Sequence, residues 1–340
     1  MTSTNIPPNP RRWPTGARDP LMIVGPNPAM DRLEVIGQLE PGSVHRVRRV
    51  HARAGGKSFI VGRSARVLGA DVEMFGFLGG AAGELARTEC RELGIDDRHT
   101  SIAADTRITA VIVESKTGRS TVFNEPGPPL TDDERQTFWD AVSERLGAER
   151  IVACTGSLPP DLPADSYGRI VAAANAAGAY SAIDASGKVL RAAVTATPWL
   201  VKCNGQEFRA AIGDGASGDP DVPDLVGHVA ALISGGVSIV VVTMGPKDFL
   251  AATADGMWSV TAPGVDVVNA TGSGDTFFAA FLATASQGGS FADSLAAAAA
   301  GGAVNASQLE PGLQPGAELA ALAAQVRFSA LEVSAAEVRS

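Results

Sequence analysis

Short apolar runs recur along the chain, and between them apolar positions return every three or four residues. The first pattern is that of buried strands and the second that of helices packed along one face. Leu21-Met22-Ile23-Val24, Ile151 to Thr155, Ser181 to Asp184, Trp199 to Lys202 and Ser238 to Thr243 read as strands. Helical spacing occupies Ala164 to Ala177, Val189 to Thr195 and Asp224 to Ser234. A further helix opens at Ala54-Gly55-Gly56-Lys57, runs to Val67 and is closed by Gly69, ahead of a strand over Val72 to Phe77. This alternation predicts an α/β fold, a mostly parallel sheet covered by helices on both faces. Such sheets bind ligands at the carboxyl ends of their strands, where Gly25-Pro26-Asn27, Gly156-Ser157, Asp184, Asn204 and Thr243-Met244-Gly245 all fall.

Two stretches depart from that rhythm. Residues 32–53 are polar and β-branched around a Pro41-Gly42 turn, and residues 108–124 form a hairpin about Lys116-Thr117-Gly118. Together they are expected to build a small β lid over one end of the larger unit. The opening segment, residues 1–20, with Pro7, Pro8, Pro10, Arg11, Arg12 and Pro14, is expected to be a disordered extension, residues 21–330 the domain, and residues 331–340 a tail. Ala296 to Ala300 reads as a close-packed helix.

Composition narrows the function. The 340 residues are 45% hydrophobic, enough for a substantial core, and 28 basic against 37 acidic residues give a net charge of −9. That balance argues against a nucleic-acid or anionic-membrane surface, so any anion site must be local. Cys90, Cys154 and Cys203 lack metal-ligand spacing and read as buried thiols of a cytoplasmic protein. No apolar run is long enough to cross a bilayer, and Met1 to Pro20 lacks the apolar centre of a signal peptide.

The chemistry concentrates in Asn269-Ala270-Thr271-Gly272-Ser273-Gly274-Asp275, which runs into the apolar-faced helix carrying Phe277, Phe278, Phe281 and Leu282. A glycine-rich turn at a helix start offers N–H donors to an anion, because the first amides lack intrahelical partners and the dipole is positive there. Asp275, in the same turn, is either a first-turn acid stabilising the helix or a base that takes a proton from a hydroxyl. Gly55-Gly56-Lys57 is either a flexible helix entry or a close backbone approach with a cation beside it. Asn124-Glu125-Pro126-Gly127 has turn composition. Asn204 and Glu207, three apart at a strand end, suit both helix capping and the holding of a hydrated Mg²⁺. Gly213-Asp214-Gly215-Ala216-Ser217-Gly218 matches the dinucleotide GxGxxG pattern but lacks its strand-to-helix setting, and no GxxxxGK[ST] phosphate loop is present.

Taken in order, Asp31, Gly55-Gly56-Lys57, Thr106-Arg107, Asn124-Glu125-Pro126-Gly127, Gly156-Ser157-Leu158-Pro159-Pro160, Asp184-Ala185-Ser186-Gly187, Asn204-Gly205-Gln206-Glu207 and Thr271 to Asp275 resemble the PfkB, or ribokinase-like, carbohydrate kinases. The resemblance spans Leu21 to about Val326. The segments Asn124 to Pro128 and Gly156 to Pro160 resemble the phosphosugar branch, which contains 1-phosphofructokinase, tagatose-6-phosphate kinase and the minor 6-phosphofructokinase. It implies a three-layer α/β domain with a β lid that often pairs two subunits, and an ATP- and Mg²⁺-dependent kinase of a ketose phosphate: fructose 1-phosphate, fructose 6-phosphate or tagatose 6-phosphate. By position, Asp275 would be the general base, with Gly272, Ser273 and Gly274 in the anion hole. Asn204 and Glu207 would hold Mg²⁺, and Lys202, Thr243, Gly245 and Thr271 would meet the nucleotide. Asp31, Gly55, Gly56, Lys57, Arg107, Asn124, Glu125 and Ser157 would meet the sugar, with Arg107, Lys57 and the lid's Arg46 as cations for its phosphate.

Two positions depart from the pattern. GGKGxNVAR becomes Gly55 to Arg63 with Ile60 in place of an Asn that bonds a sugar hydroxyl, and the leading Asp of DTxGAGD becomes Asn269. The first departure keeps two alternatives open: a kinase of an unphosphorylated sugar or nucleoside, and a non-catalytic sugar-binding protein on the same fold.

Overall fold

The computed structural model describes residues 6–16, 19–212 and 221–332, so the Gly213 to Gly218 loop and the tail beyond Glu332 lie outside the described residues. A ten-stranded sheet forms the centre. Its parallel part runs in the order Ile239–Thr243, Leu200–Asn204, Tyr180–Asp184, Ile151–Thr155, Leu21–Val24, Val72–Phe75 and Asp96–Asp97. Beyond Ile239–Thr243 three antiparallel strands extend one edge: Phe249–Thr253, Gly256–Thr261 and Arg327–Leu331. The last of these follows the short helix Ala320–Ala323 and places the domain's final residues in the sheet.

Strand alternation divides the interior into two cores. Ile23, Ala153 and Val241 face the helices Gly56–Val67, Ser273–Ser286 and Phe291–Ala306, while Val24, Cys154 and Val242 face Asp132–Glu144, Ser166–Ala176 and Val222–Ser234. The three-layer α/β architecture expected from the strand and helix rhythm is therefore present. The Ala/Gly-rich helix packs closely on its neighbour: a Cβ at Gly301 would sit 3.0 Å from that of Ala280.

A separate four-stranded sheet, in the order Arg49–Gly55, Ala29–Ile36, Ile108–Glu114 and Ser120–Asn124, stands over the carboxyl ends of the parallel strands. Its first strand runs directly into helix Gly56–Val67, so the lid and the site share one backbone joint.

The opening segment corrects a sequence expectation. Residues 6–16 are packed against the domain. Trp13 is 8% exposed and lies 5.5 Å from the Trp199 ring, 6.0 Å from Phe281 and 5.7 Å from Phe291. Its indole donates to the Gly289 carbonyl, Trp199 donates to the Arg12 carbonyl, and Asn9 accepts the Phe291 amide at the start of helix Phe291–Ala306. The proline content reads as disorder only while the partners of the one tryptophan in this segment are unknown. Removing a buried Trp side chain leaves a cavity, so Trp13→Ala is expected to lower stability by about 3–5 kcal/mol in urea unfolding with an unchanged slope. A loss below about 1 kcal/mol would mean that the segment merely adheres.

Candidate active site

Gly272 opens helix Ser273–Ser286 with φ +80°, a conformation that suits glycine, and an added Cβ would come 2.8 Å from Pro311. The turn before it consumes some of its own donors. Thr271 N–H goes to Asn269 Oδ1 at 3.0 Å, Ser273 N–H to the Ala270 carbonyl at 3.1 Å and Thr276 N–H to the Gly272 carbonyl at 2.8 Å. The amides of Gly272, Gly274 and Asp275 have no acceptor among the described residues. The helix thus starts with open donors of the kind that can bind an anion, with Asp275 in its first turn.

Around it lies a cluster of three carboxylates and two ammonium groups. Asp184, with no exposure, accepts from Lys202 at 2.8 Å and from Lys57 at 3.0 Å. Lys57 Nζ is also 3.9 Å from Asp275 Oδ1 and 3.9 Å from Glu207 Oε1. Lys202 Nζ lies against Gly274, where a Cβ would meet it at 2.8 Å. Burial alone would raise the Asp184 pKa, but the two lysines outweigh it and hold the carboxyl below its ordinary range. For Lys57 burial is likewise outweighed, by Asp184, Asp275 and Glu207, and its pKa rises. Asp275 behaves differently. Burial lifts it first, Lys57 and Lys202 pull down, Asp184 and Glu207 push up, and the result is about 6.

Asn204 and Glu207 form a reciprocal cap on helix Gly205–Ala211: Glu207 N–H donates to Asn204 Oδ1 at 2.8 Å and Asn204 N–H to Glu207 Oε2 at 3.1 Å. The capping role is therefore realised, and it leaves Glu207 Oε1 facing Lys57. One partly exposed carboxylate oxygen beside an anion hole fits a Mg²⁺ ion that keeps most of its waters. The Asn204 amide oxygen already accepts the Glu207 amide, whereas Glu207 Oε1 faces Lys57 at 3.9 Å, outside the cap. Thr243 ends its strand with Oγ1 on the Cys203 carbonyl at 3.3 Å, and Gly245 follows in a turn at φ +60°.

On the other side of Lys57 a cavity of about 580 Å³ opens beneath the lid and reaches Gly56, Ile60 and Thr271. Strand register supplies two rows of side chains along it. Nearest the domain stand Arg53, Asp31, Thr109 and Asn124; two residues farther out stand His51, Leu33, Val111 and Val122. Asp31 accepts the Gly56 amide at 3.4 Å, and a Cβ at Gly55 would collide with its carboxyl group at 2.0 Å. Burial raises its pKa. Arg107 spans the cavity wall, donating to the Asn27 carbonyl at 3.0 Å, to Thr109 Oγ1 at 3.2 Å and to the Glu125 carbonyl at 3.4 Å. Glu125 accepts the Ile108 amide, Asn124 accepts from Thr109, and Ser157 accepts from Asn27 at 2.9 Å.

The structure brings most of the sequence-derived residues to this one region, with one correction. Arg46 is exposed and does not line the cavity; Arg53 and Arg63 do, and Arg53 bonds Glu310 at 3.3 Å. Sequence reading also passed over Asp184 as a bridge between lysines, His51, Glu310 and Asn305. The signal for Asn305 was present, since it is the one amide in an otherwise small-residue helix. The signals for Arg53 and His51 were absent, because they depend on which strand of the lid lies opposite which.

A family model described as pfkB family carbohydrate kinase matches residues 27–315. The 1-phosphofructokinase of Xanthomonas campestris pv. campestris is 34% identical over 261 residues, covering 76% of this chain and 81% of that protein. That of Escherichia coli K12 is 30% identical over 300 residues, covering 88% and 95%. Phosphofructokinase-2 from Escherichia coli, solved in complex with potassium, superposes with a TM-score of 0.83 at 22% identity over 90% of this chain and 98% of that one, a likeness in fold alone.

Proposed function

The chain belongs to the pfkB family of carbohydrate kinases and is an ATP-dependent sugar kinase, and from that premise we propose that its acceptor is a hydroxyl of a ketose phosphate: fructose 1-phosphate, fructose 6-phosphate or tagatose 6-phosphate. The observation that carries this is the convergence of the Asp275 carboxyl, three open amides and Lys57 beside a cavity of about 580 Å³ whose wall holds Arg107. The accepting oxygen forms its bond to the γ-phosphorus as the bond to the ADP oxygen breaks, and Asp275 takes the hydroxyl proton. The amides of Gly272, Gly274 and Asp275, with Lys57 and Lys202, stabilise the charge on the transferring group. Mg²⁺, held through Glu207, would neutralise phosphate charge, and Lys202, Thr243, Gly245 and Thr271 would border the nucleotide. Arg107 hydrogen-bonds backbone oxygens and a hydroxyl, while the Asp31 and Glu125 carboxylates act on it from beyond hydrogen-bond distance, so its guanidinium can still grip the sugar's phosphate.

A second reading rests on Ile60. It lines the cavity and offers no hydrogen bond to a sugar hydroxyl, which supports an unphosphorylated sugar or a nucleoside as acceptor. We also propose that two copies pair through the lid, whose outer side exposes Val50 at 48%, Ile108 at 39% and Phe123 at 56%. The reaction is assigned to the cytoplasm, where the free, buried Cys90, Cys154 and Cys203 stay reduced; recovery from an oxidising compartment would contradict that. No helix among the described residues is long and apolar enough to cross a membrane.

ADP release measured with the three ketose phosphates, free fructose, ribose and adenosine should favour one of the ketose phosphates. Preference for a free sugar or adenosine selects the second reading, and ligand-induced stabilisation without ADP release from any acceptor would return a binding protein. Asp275→Asn should reduce turnover by roughly 10²–10⁴ with the fold intact; near-normal turnover would remove Asp275 as the base. Because the base must be ionised, kcat/KM should fall below a midpoint of about pH 6. Lys57→Met removes a cation that lowers the Asp275 pKa, so that limb should move to higher pH; a limb that stays in place would break the link. Phe123→Asp should convert a sedimenting dimer into a monomer, and a wild-type chain that is already monomeric at micromolar concentration would refute the pairing.

A further inference from the structure

Helix Phe291–Ala306 is built almost entirely from small and apolar residues, yet near its end it buries a side-chain amide, Asn305, with no exposure. A buried amide without partners is costly, and this one is saturated. Its Nδ2 donates to the Thr271 carbonyl at 2.9 Å and to Ser273 Oγ at 3.0 Å, and its Oδ1 accepts from Thr276 Oγ1 at 3.1 Å and from Gly312 N–H at 2.6 Å. None of the four partners belongs to its own helix. Three lie in the turn that opens helix Ser273–Ser286, and the fourth lies in the loop carrying Glu310 and Pro311.

The direction of the first bond has a consequence across the peptide plane. In a trans peptide the C=O and the following N–H point opposite ways. A Thr271 carbonyl drawn inward to Asn305 therefore turns the Gly272 N–H outward, and that amide is one of those with no acceptor among the described residues. The bonds to Ser273 and Thr276 grip the first helical turn on both sides of Asp275. The bond to Gly312 fixes the loop whose Pro311 packs on Gly272 and whose Glu310 reaches His51 at 3.5 Å and Arg53 at 3.3 Å in the lid. A core position needing only volume would be filled as well by Leu, without four polar partners to satisfy.

We propose that Asn305 is a positioning residue for phosphoryl transfer: it aims the Gly272 amide at the transferring group and holds the turn bearing Asp275 in register with it. Asn305 touches neither substrate. It acts by removing the freedom of the turn to rotate its donors away, so its effect falls on the transition state and leaves substrate affinity nearly unchanged. The proposal rests on the kinase reading above.

Asn305→Asp tests it, because the variant keeps the shape and the acceptor half of the amide but presents an oxygen to the Thr271 carbonyl. Two readouts are needed: kcat against KM for ATP and sugar, and thermal stabilisation by Mg²⁺·ADP with and without aluminium fluoride, a mimic of the transferring phosphoryl. The expected result is a kcat at least about 30-fold lower with both KM values within about threefold. Stabilisation by ADP is retained and the fluoride increment is lost. A folded variant with near wild-type kcat, or with the full fluoride increment, overturns the proposal, since a residue that only packs would give that result. Should Asn305→Asp fail to fold, Ser273→Ala and Thr276→Val each remove one partner and leave the amide in place. Each should lower kcat about three- to tenfold at constant KM, and unchanged kcat in both would be equally fatal. A wild-type chain with neither turnover nor a fluoride increment would bring down the kinase reading itself; a normal wild type beside a normal variant removes only the role of Asn305.

Discussion

Asp184 is the constraint on which the site depends. Its carboxylate has no exposure and would be untenable there alone, but Lys202 at 2.8 Å and Lys57 at 3.0 Å satisfy it. Lys202 is its register neighbour on the adjacent strand, whereas Lys57 comes from the first turn of the helix that continues the lid. One buried anion therefore ties the carboxyl edge of the main sheet to the root of the lid. It also decides where the two cations sit, Lys57 within 3.9 Å of Asp275 and Lys202 against Gly274.

That arrangement separates fixed charge from movable charge. Asp184 is held below its ordinary range and Lys57 above its own, so both keep their charge throughout the physiological range. Asp275, at about 6, is the member of the cluster whose proton balance lies close to neutrality. Burial is the largest influence on all three, and its outcome differs because Asp184 bonds both lysines while Asp275 meets one of them at 3.9 Å beside two other carboxylates. The base role proposed for Asp275, accepting a proton in the transition state and returning it afterwards, would need this middle position. The same difference in contact distance produces both the fixed anion and the titrating one.

Much of this was legible in the sequence, for identifiable reasons. Buried parallel strands are continuous apolar runs, so Ile151–Thr155 and Ile239–Thr243 announced themselves, and the glycine-rich start of helix Ser273–Ser286 has few structural uses other than a tight turn with open donors. What escaped was whatever depends on partners distant in sequence. Trp13 looked like part of a proline-rich extension because its contacts, Trp199, Phe281 and Phe291, are far along the chain. Arg53 and His51 became cavity residues only through the pairing of Asp31 with Arg53 and of Leu33 with His51, and Arg46, on the same segment, points elsewhere. A slip of one residue in that pairing would exchange the two faces of the strand. The Arg327–Leu331 strand was similarly hidden, since at a sheet edge it buries too little to show an apolar run.

The two ends of the site are made of different material, and this explains how far a family resemblance can reach. The end proposed for the nucleotide is largely backbone: amides at a helix start, a reciprocal cap at Asn204 and Glu207, and glycines at positive φ. Backbone geometry tolerates sequence change as long as the glycines that permit it remain. The end proposed for the acceptor is made of lid side chains in two rows, Arg53, Asp31, Thr109 and Asn124 nearest the domain and His51, Leu33, Val111 and Val122 beyond them, with Ile60 beside the Gly272 turn. Each of these can change without disturbing the sheet that presents it. The polar row can fix the orientation of a sugar's hydroxyls, and the apolar row together with Ile60 penalises any hydroxyl turned toward it, because that group would lose its water and gain no partner. Under the acceptor reading proposed above, selectivity would come as much from what the outer row refuses as from what the inner row binds.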